Sequence, residues 1–297
     1  MRKSLWRILV VAAVLLPVAL FAAVGPAQKP APAAPSGRHF LWRVTDARVP
    51  FYILGSSHAL RASDYPLGAP ITDAIARCRR FLFEIDMKHG ETELATKVRD
   101  AARYPKGVTL KDKVSPKTYA FVRKIAKAPP STYDNYKPWA IAMFMYSHPA
   151  LANVSRGNGV EYYVIRHARM AAEFAGLESL DEHVRVLSTM SDIESEVFLL
   201  QTLVYGDQNA KEFGAIVTAY KSGDTHRLAR LFAPQEREAP YLVLRLITKR
   251  NANWVPKVEA EMKTGKPTMV VVGARHLCGP YSLIELLRAK GHKLEQL

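Results

Sequence analysis

Two short apolar runs, one near each end of the chain, stop at the same kind of turn. Phe51-Tyr52-Ile53-Leu54 leads into Gly55-Ser56-Ser57-His58, and Met269-Val270-Val271-Val272 leads into Gly273-Ala274-Arg275-His276. A β-prone run that ends at glycine reads as a buried strand followed by a sharp turn, which sets the histidine just past the carboxyl end of the strand. That edge is where open α/β sheets place their ligands. If both strands lie in one sheet, two imidazoles from distant parts of the chain converge there, an arrangement suited to metal binding or proton transfer.

The rest of the pattern supplies such a sheet. Phe40 to Thr45 and Pro50 to Leu54, joined across Asp46-Ala47-Arg48, read as a β-hairpin. A polar loop through Ser63-Asp64-Tyr65-Pro66 leads to a helix over about 69–79 and then to a strand from Phe81 to Asp86, apolar on both faces as buried parallel strands are. This β-α-β order brings His58 and Glu84 to one edge. Helical periodicity dominates the middle, near 91–102, 116–127, 138–148, 159–170, 182–205, 208–221 and 224–232 and on to about 262, interrupted by a strand from Glu173 to Leu177 with Glu178 at its end. A strand Thr268 to Val272, a helix Pro280 to Lys290 and a strand His292 to Leu297 close the chain. The expected fold is α/β: a mixed central sheet built from N- and C-terminal segments, with a helical insertion between them. With 297 residues and 48% hydrophobic content, one domain over 39–297 is expected.

The N-terminus reads as an address. Arg2, Lys3 and Arg7 precede an uncharged run from Ile8 to Val24, with Gly25-Pro26-Ala27 as a cleavage site before Gln28. Residues 1–27 are therefore expected to be a signal peptide or, uncleaved, a membrane anchor. Residues 28–38, rich in proline and alanine, form a linker. Either way the remainder is exported, periplasmic or anchored facing the periplasm. Cys78 and Cys278 are the only cysteines, and the strand order assigns them to opposite sheet edges, too far apart to bridge. The net charge of +15 comes from scattered basic residues with no zinc knuckle, aromatic RNA-binding run or basic helix beside them. It describes a solvated surface, and no nucleic-acid partner is expected.

His58, Glu84 and His276 share the predicted edge, and two histidines with one carboxylate are a common divalent-metal ligand set that leaves a position open for water. Glu84, set among Phe81, Phe83 and Ile85, needs a cation or several hydrogen-bond donors to stay charged, and a buried salt bridge to Arg250 is the alternative to a metal. Glu178 could be a fourth ligand, a general base or a structural residue at a helix start. Asp86 points to the same face. Arg250, beside Asn251, could hold a substrate carbonyl oxygen or carboxylate, or simply pack on a helix surface. His39, His89, His148, His167, His183, His226 and His292 lack a comparable setting. Ser56 and Ser57 have no nucleophile elbow, and Cys278 need not face His276. Phosphate-loop, dinucleotide and H-E-x-x-H motifs are absent.

Taken together, Leu41-Trp42-Arg43-Val44, Tyr52-Ile53-Leu54-Gly55-Ser56-Ser57-His58, Tyr65-Pro66-Leu67, Phe83-Glu84-Ile85-Asp86, Gly159-Val160-Glu161, Gly176-Leu177-Glu178-Ser179, Arg250-Asn251 with Trp254, and Val272-Gly273-Ala274-Arg275-His276-Leu277 with Gly279 resemble the TraB/GumN family, whose eukaryotic relatives include the Tiki membrane metalloproteases. The resemblance covers about Phe40 to Leu297. It implies a metal-dependent hydrolase with His58, Glu84 and His276 at its centre, supported by Arg250 and Glu178 and using manganese, cobalt or zinc. Glu161 departs from the aspartate more usual in relatives. A peptide or another small carbonyl compound is the expected substrate. Two further readings stay open: a non-catalytic metal-, haem- or peptide-binding protein, and a metal-independent hydrolase like the erythromycin esterases, with His58 and Glu84 as acid and base.

Overall fold

A computed structural model describes residues 37–297 apart from 88–89, 127 and 146–153. The expected signal or anchor and all but the last two residues of the expected linker lie outside the described residues, as do His89 and His148. Among the described residues no helix is long and apolar enough to cross a membrane.

The described residues fall into two compact units. One is helical, from segments 90–145 and 180–210. Its helix Glu91–Ala101 packs on helix Leu180–Ser188, with Lys97 Nζ 2.7 Å from Asp181 Oδ1. Ser115 caps helix Pro116–Ile125, its side chain accepting from the Thr118 N–H. The buried hydroxyl of Ser195 accepts from the Trp139 N–H at 2.9 Å.

The other unit holds the sheets. Its strands are β1 (Leu41–Val44), β2 (Phe51–Ser56), β3 (Leu60–Arg61), β4 (Arg80–Phe83), β5 (Val154–Ser155), β6 (Glu173–Gly176), β7 (Thr268–Gly273) and β8 (Leu294–Gln296). The main sheet runs β6-β4-β7-β2-β1-β8, while β3 and β5 pair separately. Strands β6, β4, β7 and β2 are mutually parallel; β1 pairs antiparallel with β2, and β8 pairs antiparallel with β1. This is the mixed α/β sheet expected from the sequence. Every residue of β2 and β7 is buried, as central parallel strands with both faces covered must be.

Register fixes the edge. Gly55 pairs with Val272 and Ser56 with Gly273, so the two Gly-x-x-His turns leave the sheet side by side. On the other flank of β7, Phe83 pairs with Val271, which brings Glu84 level with the end of β7. Regular pairing of β4 stops at Phe83, short of the expected Asp86, and the backbone bends at Glu84. The bend is held by two bonds from the neighbouring segment, Leu177 N–H to Phe83 O and Glu178 N–H to Glu84 O, each 2.8 Å. A Cβ on Gly176 would lie 2.7 Å from Glu178 O and 2.8 Å from Asp86 N, so only glycine lets these backbones approach. The helix expected over 182–205 is two helices, Leu180–Ser188 and Asp192–Lys211.

Candidate functional site

The residues that meet at this edge come from three strand ends and one helix. A Cβ placed on Gly273 would lie 3.3 Å from Glu84 Oε1, 3.3 Å from His58 Nε2 and 3.6 Å from His276 Cδ2. The expected trio therefore gathers around one point, the side chain that glycine lacks. Glu84 is fixed there by the Gly273 N–H, which donates to Oε1 at 2.8 Å. His276 Nε2 is 3.8 Å from the same oxygen.

Helix Lys249–Met262 supplies the fourth wall. Arg250 and Trp254, four residues apart, share one helix face. Arg250 Nη2 donates to Glu84 Oε2 at 2.7 Å, and its Nε donates to Glu178 Oε1 at 2.7 Å. Nη1 lies 3.3 Å from His276 Nε2 and donates to Leu246 O at 3.2 Å. Leu246 belongs to a turn of π-helix, Leu244–Thr248, which directly precedes this helix; such turns are frequent at functional sites. The guanidinium also lies over the Trp254 ring at 4.8 Å, and Trp254 Nε1 donates to Glu178 Oε1 at 2.9 Å. Glu178 thus grips Arg250 through both oxygens, since Nη2 reaches Oε2 at 3.1 Å.

The two imidazoles are each oriented by an acceptor on Nδ1. Asn251 is fully buried, and its Nδ2 donates to His276 O at 3.1 Å and Tyr281 O at 2.9 Å. Both amide protons are thereby used, so Oδ1 is the atom that faces His276 Nδ1 at 2.7 Å, and an amide oxygen only accepts. His276 carries its proton on Nδ1 and its lone pair on Nε2. Glu161 Oε1 lies 2.6 Å from His58 Nδ1 and accepts from Ser56 Oγ at 2.6 Å. The rings differ in exposure: the His276 side chain is 5% exposed and that of His58 is 67% exposed. His58 therefore marks the solvent side of the site.

Electrostatics follow from burial and these contacts. Burial alone would raise the Glu84 carboxyl, but Arg250, then His276, His58 and the Gly273 N–H, hold it well below the usual carboxylate range. Burial likewise works against ionisation of Glu161, and His58 and Ser56 outweigh it, so its pKa is lowered. Arg250, despite burial, is raised by Glu84 and Glu178. Burial pushes His276 down to about 4, which leaves it neutral at neutral pH.

The donor set fits a divalent ion in its chemistry: one ionised carboxylate and a neutral His276 share the gap with His58. It is not arranged as a finished coordination shell. Among the described residues no group of three or more His, Cys, Asp or Glu side chains is placed to hold a metal ion, and Arg250 stands against both Glu84 Oε2 and His276 Nε2. The salt bridge considered as the alternative partner of Glu84 is present.

Other sequence candidates lie elsewhere. Ser56 Oγ is turned to Glu161, and Ser57 Oγ donates to Ala59 O, so neither pairs with a histidine as a nucleophile would. Cys278 Sγ donates back to Ala274 O, and burial pushes its thiol up to about 12. His167 stacks on Tyr163, and His292 lies between Asp46 and Glu259. The orienting roles of Asn251 and Glu161 were missed from sequence. For Asn251 the available signal was its place beside Arg250 on one helix.

A sequence model of the TraB/PrgY/gumN family matches residues 40–296. An uncharacterized protein of Treponema pallidum (strain Nichols) is 25% identical over 173 residues, a stretch that spans 54% of this chain and 52% of that protein. No solved structure matches.

Proposed function

The chain belongs to the TraB/PrgY/gumN family, and from that premise we propose that it is an exported hydrolase of peptides or other small carbonyl substrates whose His58, Glu84 and His276 would hold one divalent ion. The observation that supports this most is the convergence of the three side chains around the missing Cβ of Gly273. The chemistry such an ion would supply, if held there, is a lowered pKa for water, making hydroxide available near neutral pH.

The protein's own groups prepare that chemistry. Asn251 holds the His276 proton on Nδ1, so the ring offers Nε2 toward Arg250 and Glu84. Arg250 keeps Glu84 ionised inside a buried setting, and with Nε, Nη1 and Nη2 already directed to Glu178, Leu246 O, His276 and Glu84 it serves as a built-in cation rather than as an open fork for substrate. Glu178, with both oxygens engaged by Arg250 and Trp254, acts as the anchor of that guanidinium rather than as a general base. The exposed face of His58 is the side from which substrate reaches the edge.

A second reading has its own observation. Arg250 already supplies the positive charge that a buried Glu84 requires, so the carboxylate needs no metal to stay ionised, and the exposed imidazole of His58 is left as the acid–base group of a metal-free hydrolase. Purified protein incubated with a mixed peptide library and with simple esters decides between the two. Turnover lost in chelator and restored by manganese, cobalt or zinc is the expected result. Turnover indifferent to chelator supports the metal-free hydrolase. Stoichiometric metal without turnover of either substrate class supports the binding-protein reading. Export is checked by mass spectrometry of protein from the native host: a new N-terminus near Gln28 is expected, intact Met1 in membrane fractions identifies an anchor, and intact Met1 in the cytoplasm refutes export.

A further inference from the structure

Helix Val160–His167 has its first turn tied to the first Gly-x-x-His turn. Its first N–H, on Val160, donates to Ser57 O at 3.0 Å, which stitches the helix start to the residue before His58. Glu161 therefore sits in the first helical turn, where exposed N–H groups favour a carboxylate. Its side chain is 10% exposed, and a single oxygen, Oε1, receives both Ser56 Oγ and His58 Nδ1 at 2.6 Å.

We infer that Glu161 is the positioning residue of the site, fixing the His58 ring in its Nδ1–H tautomer so that the Nε2 lone pair is presented to Glu84 and Gly273. The deduction uses three facts. An ionised carboxylate can only accept, so the proton shared with His58 belongs to Nδ1. Nε2 is the nitrogen on the Gly273 side, 3.3 Å from where a Cβ would stand. The His58 side chain is two-thirds exposed, so packing does not set its rotamer as it does for His276.

The two halves of the site thus reach one tautomer by different means. The buried ring is served by a neutral amide, Asn251, and the exposed ring by a charged carboxylate. A charged acceptor makes the stronger bond, which is what a ring in contact with water needs to keep one orientation. Ser56 contributes by holding the shared oxygen in place. A partner of this kind also raises the basicity of the nitrogen opposite it, and loss of one commonly costs 10–100-fold in metal affinity or activity.

The inference rests on the reading of His58 as a site residue, and its test is chosen to be separable from the metal question. Long-range proton–nitrogen NMR on the metal-free, nitrogen-15-labelled full chain at pH 8 reports the tautomer of each imidazole directly. His58 is expected in the Nδ1–H form, and an Nε2–H form in the unmodified protein overturns the proposal whatever any variant does. In Glu161→Gln the amide can donate as well as accept, so His58 should divide between tautomers while His276 stays unchanged. Manganese affinity by calorimetry should fall 10–100-fold in the same variant and stay unchanged in His226→Ala. A Glu161→Gln protein that keeps a pure Nδ1–H ring overturns the role. Should the unmodified protein bind no manganese, the metal reading fails and the tautomer measurement still decides the role of Glu161.

Discussion

Arg250 and Glu84 form an ion pair of 2.7 Å between side chains that are 11% and 14% exposed, joining a helix of the C-terminal third to the end of a strand from the first. Because the same guanidinium also holds Glu178, one side chain compensates two buried carboxylates. Removing the partner of a buried charge is far more costly than the pair itself is stabilising.

Arg250→Met should therefore destabilise the protein by about 3–5 kcal/mol, read from urea denaturation. Arg250→Lys should recover only part of this, since an ammonium cannot fork between two carboxylates. A loss below about 1 kcal/mol for the methionine variant, the range of exposed pairs, would refute the buried character of this network.

Gly273→Ala and Gly55→Ala should separate site from scaffold. The three nearest atoms to a Cβ on Gly273 all belong to side chains, Glu84 Oε1 and His58 Nε2 at 3.3 Å and His276 Cδ2 at 3.6 Å, whereas one on Gly55 meets Phe40 at 2.8 Å and the Ala274 backbone at 3.2 Å. The expected outcome is near-normal melting with weakened manganese binding for Gly273→Ala. For Gly55→Ala, overpacking should cost about 1–3 kcal/mol. Equal manganese affinity in Gly273→Ala and the unmodified protein would remove the trio from consideration.

The pH dependence of the metal-free protein follows from His276. In the unfolded chain the imidazole takes up a proton near its ordinary value of 6.5, whereas in the folded chain burial delays this to about 4. The unfolded state binds more protons between those values, so stability falls as pH drops through that window, by about 3 kcal/mol in total. Below it the depressed pKa of Glu84 continues the loss in the same direction. His276→Gln should flatten the slope between pH 6.5 and 4 in chemical denaturation. An unchanged slope would show that the ring is not held neutral.

Cys78 and Cys278 are both free and buried, and burial pushes each thiol up to about 12. Alkylation at pH 8 should be slow in the native protein and should reach two thiols once it is denatured without reductant. Two rapidly modified thiols under native conditions would contradict their burial.

What could be read from sequence was whatever a period of two or an abrupt glycine records. The paired turns after β2 and β7 were legible because an apolar run and its stop both leave marks on the residues themselves. The end of β4 was not: Ile85 is buried like a strand residue, and nothing local announces that Glu84 bends away to meet Gly273 and Arg250. The gap between helices Leu180–Ser188 and Asp192–Lys211 was hidden because apolar spacing runs on across it. Strands β3 and β5 have two residues each, too few for any period. Asn251 and Glu161 act through bonds to residues distant in sequence, and no spacing rule carries that information.

Strand β7 occupies the middle of the parallel core, between β4 and β2, although among the described residues it is the seventh of eight strands to be made. A growing chain on the ribosome holds His58 and Glu84 long before anything can stand between them. Until residues 268–276 emerge, β2 and β4 have no common neighbour, and the acceptor and donor groups of Gly273, Arg250 and His276 cannot meet. The centre thus comes into being late, with helix Leu283–Ala289 and strand β8 still to follow it, and synthesis itself delays its assembly until the fold is nearly closed.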